Sequence, residues 1–160
     1  MSHKLLISST IAVSVCLLFG FLAGIATEAG IYDWYPELHK PWINLPEWIF
    51  GPMWIIMYFI TGIAAGLVWH KGFYHKWVKV ALYHFGFQLL LSAFWSILFF
   101  GLHKPFWALL DIIALFILVL ITIRWFRIIS GTATVLMIPY AMWIMFAAVV
   151  NFEVWHLNPI

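Results

Sequence analysis

Residues 106–123 read FWALLDIIALFILVLITI, a run whose only ionisable side chain is Asp111. A stretch of that length with no polar face is unsuited to the surface of a soluble protein. It fits a helix through the roughly 30 Å hydrocarbon core of a bilayer, which takes about 20 residues. Working outward, charge, Pro and Gly cut the chain into four more such runs, 5–27, 48–69, 80–100 and 133–155. The expected fold class is an all-α integral membrane protein, a five-transmembrane-helix bundle, with residues 1–160 forming one domain. Composition points the same way. With 66% hydrophobic and 9% charged residues among 160, there is too little polar surface to cover a water-soluble globule. A net charge of +2 without a basic patch excludes nucleic acid as a partner.

The first run follows Lys4 as a signal peptide's would, but its apolar stretch exceeds an h-region and further spans follow, so a retained span is expected. Cys16 lies in that run with no second cysteine and no nearby histidine, which leaves neither a disulfide nor a metal site. Because loops alternate sides, Lys4, Lys71, Lys76, Lys79, Arg124 and Arg127 share one face. Lys40 and Lys104 fall on the other, with Asp33, Glu37 and Glu47. The positive-inside rule then predicts a cytoplasmic amino terminus and an outside carboxyl terminus. The short amino terminus lacks an Arg/Ser-rich leader, which points to a bacterial plasma membrane. Trp48, Trp69, Trp77 and Trp155 fall at run ends, where an amphipathic ring suits the headgroup level. Residues 30–47 carry Pro36, Pro41 and Pro46 with Trp34, Tyr35 and Trp42. They form either a lid over one end of the bundle or a loop lying on headgroups.

Helical spacing lines up polar and aromatic side chains inside three spans. In the third, His84, Gln88, Ser92, Trp95 and Phe99 share a face; in the fifth, Tyr140, Trp143, Ala147 and Asn151; in the second, Trp54, Tyr58, Thr61 and Ala65. Interhelical packing with hydrogen-bonded glue accounts for any one stripe. Three together point to a shared cavity for a flat, largely apolar ligand, with lipid around the bundle. Pro139 lies inside the fifth span, where it removes a backbone N–H and leaves the Val135 carbonyl without its helical donor. Asp111 is costly at membrane depth and is expected to face inward, either as a functional group or as a protonated carboxyl bonded to a neighbouring helix. Gly20–Gly24 and Gly62–Gly66 are G-x-x-x-G spacings that suit close helix contacts, within the bundle or in a dimer. Hydrolase and phosphate-loop motifs are absent. His84 has no second buried histidine with which to ligate haem, so no metal and no required cofactor are expected.

These positions carry a resemblance over nearly the whole chain. Trp34, Tyr35, Leu38, Lys40 and Pro41 lead into Phe50, Gly51, Pro52, Trp54 and Tyr58; Gln88, Leu89, Trp95, Phe99 and Phe100 follow, then Trp107, Ala108 and Asp111. Pro139, Tyr140, Trp143, Phe146, Ala147 and Asn151 complete the order, with Trp155 and Asn158 beyond. The chain resembles the TspO/MBR family, the tryptophan-rich sensory proteins whose mitochondrial members are called translocator protein or peripheral benzodiazepine receptor.

That resemblance implies a five-helix bundle, usually a homodimer, binding tetrapyrroles such as protoporphyrin IX and haem-pathway intermediates, sterols and benzodiazepine-type ligands beneath the first loop. It implies that Trp54, Trp95, Trp107, Trp143, Ala147 and Asn151 line the cavity; with Tyr58, Gln88, Ser92 and Tyr140 from the stripes and the inward Asp111, these make the expected ligand site. If the protein, like some bacterial members, degrades protoporphyrin IX in light, Trp54 and Trp143 would be the catalytic pair. Three departures stand out. Ser92 replaces the family's usual Asn and removes a donor. The lid motif reads Lys40, Pro41, Trp42, Ile43, Asn44, Leu45, Pro46, Glu47, Trp48, with a Trp displaced and a Pro lost. The sterol-recognition pattern of animal members is reduced to Val149, Phe152 and His156, which weakens sterol binding by that route. Two functions are expected as alternatives: a membrane receptor or carrier for tetrapyrroles, and a light-dependent protoporphyrin-degrading enzyme.

Overall fold

The computed structural model describes residues 3–43 and 46–158. Five helices form its body: α1 (His3–Ile31), α2 (Glu47–Trp69), α3 (Lys76–Ser96), α4 (Pro105–Ile129) and α5 (Gly131–Leu157). Each, α3 together with the turn that follows it, is long and apolar enough to cross a membrane. The helices outrun the apolar stretches because a helix does not stop at the first polar residue. Thus α4 continues from Ile123 through Arg124 and Arg127 to Ile129, since long basic side chains can keep their charge at the headgroups above an apolar stem. The break before α5 is a single residue. Ser130 is extended (φ −154°, ψ 113°), and its hydroxyl accepts the Ala133 N–H at 3.3 Å, an N-cap that satisfies one donor of the new helix.

At its other end α3 widens into a π-helical turn, Ile97–Gly101. Phe99 and Phe100, adjacent in sequence, are both buried there. Around the bundle the helices run in the order α1, α2, α5, α4, α3, with α3 and its π turn returning to α1. Tyr58 and Ser92 join α2 to α3 through a hydroxyl–hydroxyl bond of 2.8 Å.

The pairing of α1 with α2 depends on Gly62 and Gly66. A Cβ on Gly62 would lie 2.6 Å from Val13 Cα, and one on Gly66 would overlap Ser9 Cα. Ser8 Oγ donates to the Gly66 carbonyl at 3.2 Å across this seam. The 62–66 spacing therefore serves a contact within the bundle, where small residues let backbones touch.

Residues 32–39, which follow α1, pack over the bundle end as a lid. A short 3-10 turn, Tyr35–Glu37, drives Tyr35 to full burial against Phe50, Phe99 and Phe100 at ring-centroid distances of 6.0, 6.2 and 5.8 Å. Trp34 stacks on His103 at 4.5 Å, and His103 holds a left-handed φ of 55°, uncommon outside glycine. Asn158 clamps the lid from α5, accepting the His39 backbone N–H at 2.9 Å and donating to its carbonyl at 3.0 Å. Trp42 is 94% exposed. Asn44 and Leu45 of the lid motif lie outside the described residues.

Candidate functional site

Beneath the lid the three predicted stripes converge. From α2 come Trp54 and Tyr58; from α3, Gln88, Ser92 and Trp95; from α5, Tyr140, Trp143, Ala147 and Asn151; all are buried. Their convergence follows from the rule that placed them on one face of each helix: an amide, a hydroxyl or an indole N–H cannot cheaply face hydrocarbon. The indoles form a nucleus. Trp54 lies 5.7 Å from Trp95 and 6.2 Å from Trp143, meeting the latter edge to face at 85°. Phe50 closes on Trp143 at 6.3 Å, and Phe99 stacks on Trp95 at 5.3 Å.

Part of the polar inventory is satisfied internally. Trp95 Nε1 donates to Asn151 Oδ1 at 2.9 Å, and Asn151 Nδ2 donates to the Pro105 carbonyl at 2.8 Å, tying α3, α5 and α4 together. The rest is not. Among the described residues, Trp54 Nε1, Trp143 Nε1, the Tyr140 hydroxyl, both amide atoms of Gln88 and Asp111 Oδ2 are buried without a hydrogen-bond partner. Leaving such groups unpaired costs roughly 1–3 kcal/mol each. Such orphans are uncommon in a packed interior, and here they gather on facing helices around an aromatic nucleus.

The space that the cluster encloses is small. A cavity of about 10 Å³ lies between the lid and the nucleus, lined by Tyr35, Phe50, Trp95, Phe99, Ala147 and Asn151 among others, whereas pockets for small molecules run to about 300–1,000 Å³. The lid therefore seats directly on the aromatic rings. Burial pushes the Tyr35 phenol up to about 12, with the Glu47 carboxylate adding to the effect, so the ring that plugs the site is neutral at physiological pH.

Trp107 is a correction to the expected set. It is 59% exposed on the outer side of α4, its ring edge-on to Phe106 at 5.7 Å. The inward face of α4 is set by Ala108, Ile112, Leu115 and Val119, and one residue back from Ala108 is a rotation of about 100°. Asp111 does turn inward, although its buried Oδ2 finds no hydrogen-bond partner among the described residues. His84 leaves the stripe at its far end: half-buried, it turns Nδ1 to the Val80 carbonyl at 2.7 Å, with its ring 6.2 Å from that of Trp125. Tyr35, Phe50, Phe100 and Val150 also line the small cavity, beyond the expected set. Phe50 and Val150 sit one helical turn from Trp54 and Ala147, a signal that was available; Tyr35 lies in a loop where periodicity says nothing. Among the described residues no three His, Cys, Asp or Glu side chains gather as a metal site.

Five apolar helices closed around a tryptophan nucleus define an integral, multi-pass membrane protein. The model of the TspO/MBR family matches residues 12–156, and the chain belongs to that family. It is 40% identical to the tryptophan-rich protein TspO of Archaeoglobus fulgidus over 154 residues, 96% of each chain. It is 34% identical to the tryptophan-rich protein TspO of Chlorobaculum tepidum, over 98% of this chain and 99% of that one. Similarity extends to the translocator protein of Bos taurus, at 32% identity over 89% of this chain and 85% of that one.

Proposed function

We propose that the protein is a membrane receptor, or carrier-like protein, that takes a tetrapyrrole such as protoporphyrin IX into the tryptophan nucleus beneath the lid. The observation that carries this reading is the coincidence of three indoles in mutual tilted and edge-to-face contact with unpaired donors and acceptors. A flat macrocycle bearing ring nitrogens and carboxylates would stack on Trp54, Trp95 and Trp143 and offer partners to the indole N–H groups, the Tyr140 hydroxyl and the Gln88 amide. Given the small volume between the lid and the indoles, entry from the lid side requires the Tyr35 turn to lift, opening the clamp between His39 and Asn158. The split of basic residues supports placing the lid on the non-cytoplasmic side.

Titration with protoporphyrin IX in the dark, followed by tryptophan fluorescence, tests the proposal. Trp54→Phe and Trp143→Phe each keep an aromatic face and should weaken binding by about 1 kcal/mol, roughly five-fold. Ala147→Leu adds bulk to the wall of the small cavity beneath the lid and should abolish saturable binding. Normal binding by Ala147→Leu together with the double Phe variant would place the ligand elsewhere.

One observation favours a second reading, light-dependent breakdown of protoporphyrin IX. Two electron-rich indoles, Trp54 and Trp143, meet edge to face with free N–H groups in the same nucleus. If that reading holds, the Phe variants should lose pigment breakdown under illumination while keeping most of their dark affinity. Unchanged pigment after illumination of the wild type would sink it.

A further inference from the structure

A cavity of about 600 Å³ lies between α1 and α2, in the half of their interface nearer the lid. It exists because the two helices are pinned at one end only. They touch at Gly62 and Gly66, and by Gly24 and Gly51 an added Cβ would meet nothing within 4 Å. Tyr58, with its ring seated on Gly20, closes the deep end, and Trp54 forms part of the inner wall. The rim is made of Phe21, Ile25 and Ile55, which are 67%, 55% and 60% exposed and therefore face hydrocarbon. The opening is lateral.

Length and charge identify what fits. From Leu17 at the deep end to Glu28 at the shallow end, α1 advances about 16 Å, close to half of the roughly 30 Å hydrocarbon core. The groove thus runs the depth of one leaflet. Its charged lining residues, Glu28 and Glu47, are both acidic and both at the shallow end beside Trp48. Lys40 neutralises Glu47 at 2.7 Å, whereas Glu28, exposed, makes no ion pair among the described residues.

We propose that this groove holds one acyl chain of a phosphatidylethanolamine from the lid-side leaflet, with the primary ammonium of its head at the Glu28 carboxylate. The chain lies along Leu17, Phe21 and Ile25, and the volume is in the range of a dedicated ligand site. An anionic head would instead approach two carboxylates of which one is uncompensated. The groove shares Trp54 and Tyr58 with the tryptophan nucleus, but the lipid's recognition rests on α1 and Glu28, outside that nucleus.

Native mass spectrometry of the purified full chain, given equal phosphatidylethanolamine and phosphatidylglycerol with identical acyl chains, tests it. Wild type should retain the ethanolamine lipid about five-fold over the glycerol lipid, which is what one exposed ion pair supplies. Glu28→Gln should level the two without losing lipid altogether. Gly24→Leu with Gly51→Leu should fill the groove and release the lipid, with helix content by circular dichroism unchanged because the added side chains enter open space. Equal retention of the two lipids by wild type, preference for phosphatidylglycerol, or undiminished ethanolamine-lipid retention by the double leucine variant would each overturn the proposal.

Discussion

The G-x-x-x-G spacing occurs once in α1 and once in α2, and the two copies meet different neighbours. Gly62 and Gly66 press against the backbone of Val13 and Ser9. Gly20 receives the ring of Tyr58, and Gly24 receives nothing. One copy closes the helix pair and the other leaves it ajar. The spacing guarantees only that a helix presents a shallow surface. Whether another backbone, a side chain or a lipid fills that surface depends on what the partner helix brings to the same depth.

Substitutions along this seam should grade accordingly. Gly66→Leu should have the largest effect, because even the first added carbon overlaps Ser9 Cα and α1 must move away as a unit. The loss should reach at least about 3 kcal/mol, the upper end of overpacking costs, and show as a collapse of folded yield in detergent. Gly20→Ala should be intermediate. The new Cβ would lie 2.6 Å from the Tyr58 ring, so the ring must swing and strain its 2.8 Å bond to Ser92. About 1–2 kcal/mol is expected, and thermal unfolding would check it. Gly24→Ala should be smallest and of opposite sign, a gain of about 0.5–1 kcal/mol from lower backbone freedom in the unfolded chain. A destabilised Gly24→Ala would mean that the seam closes along its whole length, and the contrast would fail.

The same logic separates what the sequence makes legible from what it hides. Spans were readable because run length and the absence of a polar face are properties of one segment at a time. The inward stripes were readable because Gln88, Ser92, Tyr140 and Asn151 interrupt otherwise apolar helices at helical spacing, and only one direction in a bilayer accepts them. Helix ends were not readable, since Arg124 and Arg127 mark where hydrocarbon stops rather than where α4 does. Trp107 shows the limit of position-by-position likeness. It stands one turn from the inward Asp111 yet rotates out with Phe106, because the face of a helix is set by all its contacts together. The π turn that buries both Phe99 and Phe100 leaves no periodic trace. The near-complete filling of the nucleus by Tyr35 depends on how a loop folds back, beyond the reach of any helical pattern.

The order of helices around the ring bears on how the protein is made. Of the five helices α5 follows the others in sequence and sits between α2 and α4, so the bundle stays open along one side until α5 is in place. Before α5 arrives, Trp54 has lost its Trp143 contact, the Trp95 N–H lacks its Asn151 acceptor, and the lid has nothing to clamp His39. Because only Ser130 separates α4 from α5, the two should enter the membrane as a hairpin and complete these contacts in one late step. Premature termination anywhere in α5 should therefore leave an incomplete bundle exposing unpaired polar groups to lipid, the kind of intermediate that cellular quality control removes.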